Sequence, residues 1–269
     1  MASNTRWWEF YFVRYAIGTL VGAFVISQTV RISPSLREVM LFGLGDEPTI
    51  PRASLLLGYG LLLCYIASVP ILVLHASRFA IGRAQSVREA ARGAVSNWFL
   101  EWRWVLCFVF AALSMFLIVS VFRGVTRNVE SEGFLLGLIF WAVLLTLALE
   151  YVAAFVMLVY NDRIYDGMKR LAEARAKNED RGGLIESYRH LREHGNSLFI
   201  VGLELVLGAA LIGMVRIIEN DVNVQDKVFE CTRWGVSLLT AWMLPGIAVW
   251  FLGSIVERRF ADDRNVKAK

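Results

Sequence analysis

The sequence predicts an all-α membrane protein, a bundle of six transmembrane helices with a cytoplasmic helical hairpin and a cytoplasmic interfacial amphipathic helix. Hydrophobic residues make up 57% of the 269 residues, against about 45–50% in soluble domains. They form six runs of roughly the 20 residues that a helix needs to cross a bilayer. The 28 Lys and Arg residues lie mostly between these runs. This distribution excludes a soluble globular protein, a disulfide scaffold and an ordinary nucleic-acid-binding protein, so no nucleic-acid partner is expected.

The six runs are continuous, whereas strands of a membrane barrel alternate in polarity. The fourth run has 28 residues, which implies tilt or a continuation into water. Because the N-terminus lacks the short apolar core and cleavage site of a signal peptide, we expect the first run to stay in the mature protein. The predicted spans are Trp7–Ser27, Ala53–His75, Trp104–Phe122, Gly133–Tyr160, Ser197–Val215 and Gly235–Val256.

The positive charges predict the orientation of the spans. Nineteen of the 28 Lys and Arg residues would lie on one side, namely Arg6, five in 76–103, eight in 161–196 and five after Val256. Eight would lie on the other side, and Arg14 falls inside the first run. Short cytoplasmic loops retain positive charge during insertion. We therefore expect a bacterial inner-membrane protein with both termini in the cytoplasm, in contact with the anionic inner leaflet.

Two of the predicted cytoplasmic connections have a helical period. In 76–103, apolar residues recur every three or four positions with arginines on the flanking face, which predicts a helix that lies on the inner leaflet or supports the bundle. Segment 161–196 predicts a helical hairpin that is interrupted at Gly182 and Gly183. Its basic residues either dock a cytoplasmic protein partner or form a solvated face. They include Arg175, Lys177, Arg181, Arg189 and Arg192.

Three charged residues fall within the apolar runs: Arg14, Glu150 and Glu204. Each lies seven to ten residues from the predicted cytoplasmic end of its span, which corresponds to a depth of about 10–15 Å. Charges at such positions tend to be paired or to line a cavity. An ion pair of Arg14 with either glutamate would leave the other for proton or cation handling. Alternatively, the glutamates fix helix register, and Arg14 extends towards the headgroups.

Small residues and prolines accompany these charges. Gly18 and Gly22 continue the stripe of Arg14 as a GxxxG motif, which allows close helix packing, and Gly208 follows Glu204 by one turn. Two prolines, Pro70 and Pro245, lie within the second and sixth runs. They are candidate hinges, or kinks that serve packing.

Catalytic and metal-binding motifs are weak. His190 and His194 have a spacing that a metal could bridge, but the residues between them do not follow the order of a zinc hydrolase. The three cysteines contain no C-x-x-C pair. We therefore predict no catalytic residue, no metal and no cofactor.

These observations favour a homo-oligomeric membrane protein that forms or gates an ion-conducting path. A cytoplasmic partner or signal would act on it at the hairpin. One alternative is a membrane scaffold or accessory subunit that docks a cytoplasmic partner. Another is a secondary transporter or an intramembrane enzyme that uses Glu150 or Glu204 as a general base, although no nucleophile or metal set accompanies them.

Overall fold

The part of the protein that the computed structural model describes consists mainly of helices and contains no strand. That part comprises residues 7–44, 49–81, 109–110, 112–113, 116, 134–160, 164–167, 169, 182–222 and 224–267, without the side chains of 7–14, 78–81, 182–195, 256 and 258–267. The all-α class is therefore confirmed. The helices are α1 (Trp7–Ile32), α2 (Pro34–Met40), α3 (Ile50–Ala67), α4 (Val69–Ile81), α5 (Phe134–Val159), α6 (Gly182–Asn220) and α7 (Lys227–Lys267).

Five stretches of these helices are long and apolar enough to cross a membrane. They contain 18 to 29 residues each, which fits the requirement of about 20. The chain is therefore a multi-pass integral membrane protein. The predicted third span and amphipathic helix lie largely or wholly outside the described residues. The five stretches are Tyr15–Ile32, Ile50–Ser77, Phe134–Val159, Asn196–Asn220 and Lys227–Ile255.

Several helices are longer than the apolar runs indicate. Helix α1 continues five residues past Ser27 and ends just before Ser33, whose hydroxyl accepts the Leu36 N–H at 3.2 Å and caps α2. Helix α6 passes through Gly195 without interruption, because a single glycine costs a helix only about 1 kcal/mol. The second arm of the predicted hairpin and the fifth span thus form one helix.

The second span is divided at Ser68, between α3 and α4. Pro70 explains this break, because its ring clashes with the preceding turn and its nitrogen has no hydrogen to donate. The Ser68 hydroxyl donates to the Tyr65 carbonyl at 2.6 Å.

Helix α1 packs against α3 and α6. Gly18 lies against Cys64 of α3, and Gly22 lies against Gly60, one turn earlier on that helix. Since the numbering rises on one helix as it falls on the other, α1 and α3 are antiparallel. Helix α6 runs parallel to α1, because Glu204 lies beside Gly18 and Gly22 and Gly208 lies against Val25, further along both helices.

The remaining helices form the other half of the bundle, in which α4 packs against α5 and α7. Trp242 of α7 contacts Ile66, and Gly246 approaches Val69, so α7 runs parallel to α3 and α4. In helix α5, Leu136 lies beside Gly213 of α6, and Tyr151 contacts Ala241 of α7, next to Trp242. Helix α5 is thus antiparallel to α6 and parallel to α3, α4 and α7.

One end of the bundle is joined by Glu219, near the end of α6. Its carboxylate accepts a hydrogen bond from the Ser33 hydroxyl and lies 3.6 Å from the Lys227 ammonium at the start of α7. Cys231 is buried beside this cluster, with 3% of its surface exposed, whereas Val222 in the α6–α7 connection is 93% exposed. A reagent in water therefore reaches position 222 far more readily than Cys231.

Orientation can be tested by labelling a Val222→Cys variant whose three native cysteines are replaced by alanine. If both termini are cytoplasmic, a membrane-impermeant maleimide should modify position 222 in intact cells. Glu257→Cys in the same background is the matched control at the other end of the bundle and should react only after the membrane is permeabilised. The reverse pattern would contradict the predicted orientation.

Candidate functional site

Two carboxylates, Glu150 on α5 and Glu204 on α6, are completely buried within membrane-spanning helices. Each side chain has an exposed fraction of 0%. Among the described residues, none donates a hydrogen bond to any of the four carboxylate oxygens. An ionised carboxylate without a partner is very costly in an apolar interior. The pair is therefore the candidate site.

The Glu204 carboxyl group packs against α1 at Gly18 and Gly22, whose lack of a side chain leaves it room. A Cβ atom at Gly22 would lie 2.7 Å from Glu204 Oε1, and one at Gly18 would lie 3.2 Å from Oε2. The same Cβ at Gly22 would be 2.5 Å from the Gly60 carbonyl oxygen. A side chain at Gly22 would therefore displace either the carboxyl group or the neighbouring backbone.

Gly60 is a member of this interface that sequence reasoning missed. A Cβ atom there would collide with the Thr19 carbonyl oxygen and lie 2.5 Å from the Ala23 nitrogen. The signal was present in the sequence, since Gly60 and Cys64 form a pair of small residues four positions apart. Gly208, which was predicted to share the face of Glu204, lies against Val25 of α1.

Glu150 lies among buried residues in the other half of the bundle. Its neighbour Tyr151 donates to the Ala241 carbonyl oxygen of α7 at 2.9 Å, and the Tyr151 ring lies 5.6 Å from that of Phe110. Thr146, one turn away on α5, uses its hydroxyl proton in a 2.8 Å bond to the Ala142 carbonyl. That proton is thus already committed within the helix.

A series of contacts places the two glutamates at similar depth. Tyr151 reaches Ala241, and the next residue, Trp242, reaches Ile66. Cys64, two residues before Ile66, lies at Gly18, which is beside Glu204. The two carboxyl groups are therefore within about two helical turns of each other along the bundle axis, or about 10 Å. Helices α5 and α6, which carry them, pack directly together.

The predicted ion pair with Arg14 remains a prediction, because the Arg14 side chain lies outside the described residues. Its backbone belongs to α1, one turn before Gly18. Among the residues of α1 whose side chains are described, the apolar stretch is Tyr15–Ile32. Three predicted docking residues, Arg175, Lys177 and Arg181, lie outside the described part. Arg189 and Arg192 belong to α6, but their side chains are outside the described part as well.

The two predicted hinge prolines each leave a carbonyl group without its usual helical donor. Pro70 has no N–H to offer Ile66, and Pro245 has none to offer Ala241. In both cases an aromatic side chain from another helix is the donor. Trp242 Nε1 donates to the Ile66 oxygen at 3.0 Å, and Tyr151 Oη donates to the Ala241 oxygen at 2.9 Å.

These two proline sites also contact each other. Both prolines are buried, and a Cβ atom at Gly246 would lie 2.7 Å from Val69 Cγ1. The break between α3 and α4 thus faces the interrupted turn of α7. Sequence reasoning identified the prolines but not their donors, because Tyr151 and Trp242 are recognised only when the register between helices is known.

The described side chains include no group of three or more potential metal ligands among His, Cys, Asp and Glu. A comparison with known proteins finds no matching family, no matching curated protein and no matching solved structure. The arrangement can instead exchange a proton or a small cation at two buried carboxylates.

The role of the aromatic donors can be tested with a double-mutant cycle. Tyr151→Phe should lower the free energy of unfolding by about 1 kcal/mol. The loss should be smaller together with Pro245→Ala, because alanine supplies the N–H that Ala241 needs. Reversible unfolding in mixed detergent micelles would measure both changes.

Tyr59→Phe is the matched control for this cycle, because Tyr59 donates to the Met40 carbonyl, away from Pro245. Its cost should be the same with proline or alanine at position 245. An equal cost of Tyr151→Phe in the two backgrounds would refute the assigned role.

The glycine interface gives a second stability prediction. Gly22→Ala should lower the free energy of unfolding by about 1–3 kcal/mol, the usual cost of overpacking. Gly58→Ala is the matched control in α3, because nothing lies within 4 Å of its added Cβ, and it should be neutral or stabilise by up to about 1 kcal/mol. Equal effects of the two substitutions would contradict the assigned packing.

Proposed function

We propose that the protein forms or gates a path by which protons or small cations cross the membrane, and that Glu150 and Glu204 exchange the ion. The observation that carries this proposal is the pair of fully buried carboxyl groups at similar depth, for which the described residues provide no donor. Ionisable residues inside a membrane commonly mark ion pathways and proton relays. A transported cation would restore charge balance at each one.

Charge counting supports this assignment over a purely structural ion pair. The single guanidinium of Arg14 could balance at most one of the two carboxylates. The other would still require a proton or a cation to remain in an apolar interior. At least one of the two glutamates would thus hold a proton or a cation, and the proposed path uses this ion.

The path would be closed in the arrangement described here. Three fully buried side chains, Leu147, Leu207 and Trp242, help fill the bundle core. Conduction then requires either bending at Pro70 and Pro245 or a route completed by a second copy of the chain. We include both a homo-oligomer and control through the basic hairpin residues in the proposal, since residues 161–196 carry eight of the 28 Lys and Arg residues.

We further propose six crossings with cytoplasmic termini in a bacterial inner membrane. Helices α4 and α5 run in the same direction, which supports a further crossing between them. The predicted span Trp104–Phe122 lies in that interval. The uneven distribution of Lys and Arg supports the orientation.

Ion flux into liposomes that contain the purified protein tests the proposal. The wild type should carry a proton or monovalent-cation current above that of protein-free liposomes, and Glu150→Gln combined with Glu204→Gln should abolish it. Glu257→Gln is the matched control, because Glu257 is exposed beyond the last candidate span, and it should leave the flux unchanged. A wild type without flux, or a double variant with full flux, would overturn conduction through these carboxylates.

A further inference from the structure

Two oxygens converge on one point of the interface between α1, α3 and α6. This point is the position that a Cβ atom of Gly22 would take, 2.7 Å from Glu204 Oε1 and 2.5 Å from the Gly60 carbonyl oxygen. A carbonyl oxygen accepts hydrogen bonds and does not donate them, and an ionised carboxylate is likewise only an acceptor. Both oxygens therefore border the same small space in an apolar interior, where a proton or a cation would relieve the repulsion between the two acceptors.

The surroundings of this point favour a proton over a metal cation. Hard cations such as Ca²⁺ and Mg²⁺ take six or more oxygen ligands, and Mg²⁺ usually keeps several waters. The space beside Oε1 is narrow, because a Cβ atom at Gly22 would also lie 2.7 Å from the Gly60 Cα atom, and the Cys64 thiol lies against Gly18. Backbones this close leave little room for a hydrated cation. A proton requires only one donor and one acceptor.

We propose that Glu204 is the proton-binding site of the path, and that its neutral carboxylic acid donates a hydrogen bond to the Gly60 carbonyl oxygen. The identification of the ion as a conducted proton rests on the proposed function. Binding breaks an O–H bond of a hydronium ion on one side of the membrane and forms one at Glu204 Oε1. Release reverses these changes towards water on the other side.

Gly18, Gly22 and Gly60 are positioning residues for this proton. They bring the backbones of α1 and α3 together, and they leave the acid a place beside an acceptor that is fixed within a helix. Cys64 is the titratable side chain of α3 at this interface, and Arg14 belongs to the stripe of α1 one turn away. A methyl group at Gly22 would crowd both the acid and the Gly60 oxygen, and so disturb a hydrogen bond between them, without changing any charge.

Infrared difference spectroscopy of the full-length protein in liposomes tests proton occupancy directly. At neutral pH, the wild type should show the C=O stretching band of a protonated carboxylic acid, with the shift on exchange into D₂O that an O–H group produces. Glu204→Gln should remove the part of this band that belongs to Glu204, as measured in a Glu150→Gln background, while the amide I band stays unchanged. Glu204→Asp should retain a carboxylic-acid band at a shifted frequency, which guards against loss of folding in the glutamine variant.

Two glycine variants test the assigned acceptor. Gly22→Ala should move the Glu204 band to higher frequency, because the hydrogen bond to Gly60 is weakened. Gly58→Ala, the matched control, should leave the frequency unchanged. Absence of a band that depends on Glu204 would show an ionised carboxylate and would overturn the proton site in favour of an ion pair or a bound metal cation.

Flux measurements separate this inference from the proposed function. With an imposed pH gradient in sodium-free buffer, a trapped pH-sensitive dye should report proton uptake that Glu204→Gln abolishes. A sodium gradient at constant pH should drive no flux. A Glu204 band without any flux would support the proton site and contradict the proposed conduction. Sodium flux that requires Glu204, without the band, would retain conduction and overturn the proton site.

Discussion

The arrangement of the helices depends on one requirement, that every backbone carbonyl inside the membrane finds a hydrogen-bond donor. Pro70 and Pro245 each remove a donor from within their own helices, and hydrocarbon offers no water to replace it. Trp242 and Tyr151 supply the two missing bonds from neighbouring helices. A defect in one helix therefore becomes a specific attachment to another, which fixes the register of α5 against α7 and of α7 against α3.

This attachment also restrains the candidate hinges. Bending at Pro70 would tend to separate Trp242 from Ile66, and bending at Pro245 would do the same for Tyr151 and its acceptor. Hydrogen bonds between membrane helices are worth only about 0.6 kcal/mol on average, up to about 1.7 kcal/mol. Such bonds are strong enough to select one arrangement and weak enough to exchange. Because Tyr151 adjoins Glu150, any movement at Pro245 also changes the surroundings of a buried carboxyl group.

Sequence reasoning identified features that depend on a single helix. Apolar runs located five spans because length and hydrophobicity decide whether a segment enters a bilayer. The limits of the helices were less accurate, since α1 and α6 continue into polar sequence where hydropathy no longer marks their ends. Gly18 and Gly22 were recognisable because their spacing is local, whereas Gly60 became meaningful only opposite Thr19. The aromatic donors to the proline-freed carbonyls could not be predicted, because each requires the register of two helices.

The glycine interface separates a structural role of Glu204 from an ionic one. If the side chain served only to hold α6 against α1 and α3, an uncharged amide of the same shape would donate equally well to the Gly60 carbonyl. A carboxyl group at the same place adds the cost of burying an ionisable residue and provides no additional bond while it is neutral. Under the proposed function this cost has a reason, because a carboxyl group can release its proton and an amide cannot. The glycine interface would then hold the acid in place for proton exchange, in addition to packing α6 against α1 and α3.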